Sequence, residues 1–299
     1  MIVSVENLSH QYGSRRALTG VSFEVGEREI FGFLGPNGGG KSTLFRILAT
    51  LMTPSGGRAV VAGFDVQRQP AEVRRRIGVV FQSQSLDKKL TIQENLRSQG
   101  HLYGMSGVAL RERVKEVMGR LGLADRRKDL VETLSGGLRR RVEIAKGFLH
   151  APAVLLMDEP STGLDPGARR ELWRYLEELR DQEGITVLLT THLLDEADRC
   201  DRLLLLHQGR VVAAGSPAEL KSRIGGDVVV LEAADVTLLQ ARLGVPSTIV
   251  NGALRVEIDN GHRFIAQVIE AFPGTIHSVA LHKPTLEDVF LDETGALIE

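Results

Sequence analysis

Glu29-Ile30-Phe31-Gly32-Phe33-Leu34 runs directly into Gly35-Pro36-Asn37-Gly38-Gly39-Gly40-Lys41-Ser42-Thr43, and Leu44-Phe45-Arg46-Ile47-Leu48 follows. The first segment is a short apolar run of the length of a buried strand, and the last has helical character and no breaker. Strand, glycine loop and helix form the context in which Gly-x4-Gly-Lys-Ser/Thr acts as a phosphate loop. Glycines lack Cβ atoms, so the backbone turns sharply and its N–H groups can converge on phosphate oxygens. The helix opening near Gly40 aims its positive end at the same anion. Lys41 is placed to reach the β- and γ-phosphates, and the Ser42 hydroxyl to ligate Mg²⁺. The stretch therefore predicts a nucleotide site in an α/β fold.

Composition narrows the class. The 299 residues are 25% charged and 42% apolar, ordinary for a globular protein with ample core. A net charge of −1 gives no electrostatic reason to expect nucleic acid or an anionic membrane as a partner. The single cysteine, Cys200, excludes an internal disulfide framework and fits a reducing compartment. Met1 to Glu6 has neither a basic nor an apolar leader region, and no apolar run approaches the ~20 residues needed to cross a bilayer. If the chain works at a membrane, another chain is expected to supply the membrane part.

Residues 2–34 read as β-rich, with Tyr12-Gly13 in a turn, and further short strands are expected over 58–66 and 77–82. Beyond Gln82 the pattern becomes helical. Thr91-Ile92-Gln93-Glu94 is a capping box, a second helix spans about Val108 to Leu121, and a third starts at Leu134-Ser135-Gly136-Gly137. Residues 83–150 thus read as a helical subdomain inserted into an α/β core. Strands return at Ala153 to Met157, Ile185 to Thr190 and Leu203 to His207, with Asp165-Pro166 opening a helix between the first two.

Ile224-Gly225-Gly226 reads as a hinge, giving expected domains 1–224 and 225–299. From residue 221 onward there are six Lys/Arg against eleven Asp/Glu. The order β-α-β-β-α-β, with Asn251-Gly252 as the hairpin turn, predicts a small C-terminal α+β domain of ferredoxin-like order.

Four sites join the phosphate loop. Val154 to Met157 ends in Asp158-Glu159, and strand C-termini in an open parallel sheet face the ligand crevice. Asp158 suits the Mg²⁺ shell and Glu159 suits polarising a water. Ser135-Gly136-Gly137 opens a helix and offers a second anion-binding N-terminus. His192 follows a strand and lies near the same edge, and Gln82 ends its own strand where its amide can touch the metal or its water. Taken singly, each is ordinary: a solvated acid pair, a turn, a structural histidine, a surface amide. His277, His282 and Cys200 have no partners that mark them as more than structural.

Together these motifs resemble the ATP-binding-cassette (ABC) ATPase family over about residues 1–220. Gly35 to Thr43 (Gly35, Pro36, Asn37, Gly38, Gly39, Gly40, Lys41, Ser42 and Thr43) matches the Walker A loop and Gln82 the Q-loop glutamine. Leu134 to Leu138 matches the signature motif, and Leu155 to Glu159 matches Walker B with its catalytic glutamate. Ser161 to Asp165 matches the D-loop and His192 the switch histidine, while Tyr12 stands where the family stacks an aromatic on adenine. The resemblance implies Glu159, His192 and Gln82 as catalytic residues, with Ser42, Gln82 and Asp158 at the metal. Tyr12, the Walker A residues, Ser135, Gly136, Gly137, Asp158 and Asp165 are the nucleotide-binding set. Leu138 replaces the usual glutamine and Gly39 a common alanine. Leu138 with Arg139-Arg140-Arg141, and the tail Pro284 to Leu291, resemble the ABC-2 type, daunorubicin-resistance-like exporter branch.

The resemblance implies ATP and Mg²⁺ as ligands, a homodimer through the ATP sites, and a separately encoded polytopic permease at the cytoplasmic face of the membrane. In a head-to-tail pair, Ser135 and Gly137 of one copy contact the γ-phosphate held by Lys41 of the other. A soluble ABC ATPase acting in assembly, translation or repair is the alternative. The tail is read either as a dimer clamp or as a ligand sensor.

Overall fold

The computed structural model describes residues 1–297; the last two residues of the expected 225–299 domain lie outside the described residues. The chain divides into two compact units after Ala214. The first is built on a six-stranded sheet in the order Arg210–Gly215, Arg202–His207, Ile30–Leu34, Thr186–Thr191, Val154–Asp158, Ile77–Val80. Strand Ile30–Leu34 pairs in parallel with both of its neighbours, aligning Leu34 with Thr191 and Leu205. All of its residues are buried, as are all of Thr186–Thr191, which explains why both read as unbroken apolar or β-branched runs rather than alternating ones.

A second, antiparallel sheet holds Arg15–Val25, Val3–Tyr12, Gly56–Val61 and Phe64–Asp65. Between the sheets lies one apolar core in which Phe23 stacks on Phe31 and Phe33 meets both edge-on, with centroids 5.4–5.7 Å apart. Helix Lys41–Leu48 inserts Leu44, Phe45, Ile47 and Leu48 into this core, each at most 1% exposed. At about 1.5–3 kcal/mol per buried side chain of this size, that face fixes where the helix N-terminus points. Tyr12 closes the first strand rather than lying in the turn, which falls just after it.

Helices Ile92–Leu102, Gly107–Arg120 and Gly136–Phe148 form the helical part, and the capping box at Thr91 is made as expected. The Gln208-Gly209 turn takes positive φ at both residues, as a tight hairpin turn requires.

The second unit carries a four-stranded sheet in the order Thr248–Val250, Ala253–Ile258, Asp227–Ala233, Ile276–His282, every neighbouring pair antiparallel. With helices Val236–Leu243 and Gly261–Ala271 this is the ferredoxin-like arrangement, its core made by Val229, Leu231, Leu254, Val256 and Phe264. The division falls ten residues before the Gly225 hinge expected from composition. Helix Pro217–Ser222 belongs to the second unit, where it lies against helix Leu286–Thr294, and Arg223 sits 3.9 Å from Glu293.

Candidate functional site

The phosphate loop crosses from strand Ile30–Leu34 to helix Lys41–Leu48 through Gly40, which adopts φ 109° as the helix N-cap. A Cβ there would stand 2.8 Å from the Ala17 carbonyl oxygen and 2.9 Å from Leu18, so both conformation and space demand glycine. The Lys41 ammonium is 4% exposed and donates to the carbonyls of Gly35 at 2.5 Å and Pro36 at 3.0 Å. Burial lowers its pKa, opposed by the nearby Glu159 and Asp158 carboxylates. A cavity of 260 Å³ opens in front of the loop, lined by Tyr12, Asn37, Lys41, Ser42, Thr43 and Glu159 among others. The Tyr12 hydroxyl lies 3.5 Å from Thr43 Oγ1, so the first strand brings an aromatic ring to the loop.

Strand Val154–Asp158 runs into Glu159, which lines the cavity. Thr190 Oγ1 donates to Asp158 Oδ1 at 2.6 Å. Glu159 projects beside it with φ 44°, an unfavourable backbone for a residue with a Cβ, costing of order 1–3 kcal/mol. Its N–H is held by Thr190 through the carbonyl oxygen at 3.2 Å and Oγ1 at 3.0 Å. Its carboxylate accepts from Gln82 Nε2 at 3.1 Å and Thr162 Oγ1 at 3.2 Å. His192 Nδ1 lies 3.3 Å from Glu159 Oε1, without hydrogen-bond alignment. Strand ends 80, 158 and 191 thus bring Gln82, Asp158, Glu159 and His192 to one edge, next to the phosphate loop.

Ser135, Gly136 and Gly137 stand apart from this cavity. Ser135 caps helix Gly136–Phe148, its Oγ accepting from the Leu138 N–H at 3.3 Å, and both Ser135 and Gly136 are exposed. At Gly137 a Cβ would sit 2.8 Å from the Ala168 methyl, so glycine here lets two helix N-termini approach. Asp165 serves one of those ends: its carboxylate accepts from the N–H groups of Gly167 and Ala168 at 2.9 and 3.0 Å, which lowers its pKa. Its structural partner is therefore the helix end.

Several residues at the site escaped the sequence reading. Arg15 and Arg46 line the cavity, and Thr190 holds both Walker B acids. Glu196 is 2% exposed and accepts from Ser161 Oγ and from Thr191 Oγ1 at 2.7 Å, tying the D-loop to the strand before His192. Burial pushes its pKa up. Thr190 and Thr191 were legible as part of the strand before His192, but nothing local marks their partners.

A sequence profile described as ABC transporter matches residues 18–162, and one described as ATP-binding protein DrrA1-3-like, C-terminal domain, matches residues 215–294. The daunorubicin/doxorubicin resistance ATP-binding protein DrrA of Streptomyces peucetius is 42% identical over 98% of this chain and 92% of its own. The Nod factor export ATP-binding protein I of Paraburkholderia xenovorans is 38% identical, covering 98% and 97%. Among solved structures, the dimeric post-hydrolysis state of the ATP-binding cassette MJ0796 bound to ADP and Pi superposes with a TM-score of 0.64. That match is 29% identical and covers 72% of this chain and 98% of the other. The chain belongs to the ABC transporter family, and it is an ATP-binding, ATP-hydrolysing protein of that family. No helix among the described residues is long and apolar enough to cross a membrane.

Proposed function

We propose that this chain is the ATPase subunit of an export complex, working as a head-to-tail pair on the cytoplasmic face of a separately encoded polytopic permease. The observation that carries the reading is the position of Ser135-Gly136-Gly137. These helix-opening residues, Ser135 and Gly136 exposed and Gly137 half-buried, lie outside the chain's own 260 Å³ cavity, and a second copy can bring them to it. The resistance and export functions named for the relatives support the direction of transport. A groove of 330 Å³ beside the Gln82 loop, lined by Leu51, Phe81, Ser85, Tyr103 and Lys146 among others, is the surface offered to the permease.

Within the site, the N–H groups of the first turn after Gly40 and the Lys41 ammonium bind the phosphates, while Tyr12 stacks on the base. Ser42 Oγ, the Asp158 carboxylate oxygen not taken by Thr190, and Gln82 Oε1 form an all-oxygen donor set, which fits Mg²⁺. The cation would neutralise charge on the transferring phosphoryl group. Glu159, fixed by Gln82 and Thr162, orients and deprotonates the attacking water, and His192 steadies the γ-phosphate from the same edge. Ser135 and Gly137 of the second copy complete the phosphate shell. Asp165 contributes by holding the end of the D-loop. Hydrolysis then removes the charge that joins the copies, so closure depends on ATP and opening on its cleavage.

Glu159→Gln tests this directly, because an amide cannot take the proton yet preserves the shape. The variant should bind ATP, lose at least 100-fold in turnover and elute as a dimer with ATP and Mg²⁺ on size exclusion. A variant that hydrolyses at the wild-type rate, or stays monomeric with ATP, contradicts the proposal.

A further inference from the structure

Helix Gly136–Phe148 carries Arg140, Glu143 and Lys146 at successive intervals of three, so each neighbours the next along a slanting ridge of its surface. Each reaches away from the helix to the loops that bear the reactive groups. Glu143, 2% exposed, accepts from Ser85 N–H at 2.6 Å and Ser85 Oγ at 2.8 Å. Lys146 Nζ donates to Ser85 O at 2.7 Å. Arg140, 9% exposed, directs its planar guanidinium at four carbonyls: Pro160 at 2.6 Å, Phe81 at 2.6 Å, Glu159 at 3.1 Å and Asp158 at 3.3 Å. Contacts at Phe81 and Ser85 bracket Gln82, and those at Asp158 to Pro160 bracket Glu159.

Glu159 is where such a clamp has an effect. Its positive φ precedes Pro160, and a residue before proline favours an extended backbone, so this conformation persists only when held from several sides. Thr190 holds its N–H and Arg140 holds its carbonyl. We propose that Arg140 is a positioning residue that keeps Glu159 in its reactive conformation and ties it rigidly to the helix whose tip is Ser135. This rests on Glu159 being the base and Ser135 a contact to the second copy's nucleotide. Ser135 and Arg140 are five residues apart on one helix, about 7.5 Å along its axis. Seating the tip on one nucleotide therefore assists the alignment of Glu159 over the other, while Thr190 holds Glu159 within its own copy, and this links the two sites of a pair through a single side chain. Only a guanidinium offers a flat fork of donors to diverging carbonyls; an ammonium on a flexible stem cannot serve four at once.

The test uses the full-length chain with Arg140→Lys, measured for ATP affinity by nucleotide titration, for kcat, and for thermal stability. Arg140→Gln serves for the same comparison if the lysine variant does not fold. The expected result is ATP affinity within about twofold of wild type and kcat reduced at least tenfold. Placed in the Glu159→Gln background, the substitution should leave the ATP-dependent dimer in place, because it acts on alignment rather than on binding. A kcat within twofold of wild type overturns the inference. So does joint loss of ATP affinity, dimer and kcat, which would make Arg140 a packing residue only. If Glu159→Gln alone hydrolyses at the wild-type rate, the reading of Glu159 fails; if it is inactive while Arg140→Lys is fully active, this inference alone fails.

Discussion

Lys41 is buried against the Gly35 and Pro36 carbonyls and balanced by Asp158 and Glu159, so its charge is preorganised for phosphate rather than for solvent. Lys41→Ala should weaken ATP binding by about tenfold or more, on the order of 1.4 kcal/mol, in a nucleotide titration; undiminished affinity would refute the site. Glu196 makes the opposite demonstration. Its folded pKa is raised above the ordinary 4.5 by burial, so the folded state holds its proton more tightly than the unfolded state. Linkage then makes its contribution most favourable at low pH and progressively lost as pH rises from about 4.5 through the raised value. Glu196→Gln removes that loss. Its melting temperature relative to wild type should therefore climb as pH rises above about 4.5, and a difference that stays flat would show that burial does not raise the Glu196 pKa.

At the scale of elements, the residues that set local geometry were legible in the sequence. Thr91 forms the capping box expected from Glu94, and Ser216 and Thr285 form the same box with Glu219 and Asp288, because a cap is satisfied by its own turn. The Asn251-Gly252 turn, positive in φ at both residues, joins strands Thr248–Val250 and Ala253–Ile258 as read. What was not legible depended on distant approach. The Arg139-Arg140-Arg141 run resembled a branch marker only. Which of the three reaches four carbonyls from two other strand ends is decided by the packing of helix Gly136–Phe148 on the sheet. Nor could the sequence assign helix Pro217–Ser222 to the second unit, since its partner helix begins at Leu286, 64 residues after Ser222. Leu138 is a case where the element predicts tolerance. Its backbone N–H serves the Ser135 cap while its side chain lies half-buried beside the tip, so Leu138→Gln should change ATPase activity less than about threefold, under ~1 kcal/mol of barrier. A larger change in steady-state rate would show that this side chain enters the site.

Across the whole molecule, every proposed site residue lies before Gly215, and the first unit owns its core. A chain ending at Gly215 should stay soluble and bind ATP. If the second unit clamps the pair, the truncated chain's ATPase activity should depend more steeply on protein concentration, by mass action. If the unit senses a ligand, activity should be unchanged or raised at all concentrations. Insolubility would mean that the second unit completes the cassette core.

In the proposed pair, each ATP site is built from two copies. Ser135→Arg keeps Lys41 and Glu159 but blocks the helix tip, and Glu159→Gln keeps the tip but lacks the base. Each variant alone should hydrolyse ATP at background rate. Mixed in equal amounts before ATP is added, they can form a pair in which the intact Lys41 and Glu159 of one copy face the intact Ser135 of the other. The mixture should regain ATPase activity above the sum of the two separate preparations. A mixture no more active than that sum would contradict this arrangement.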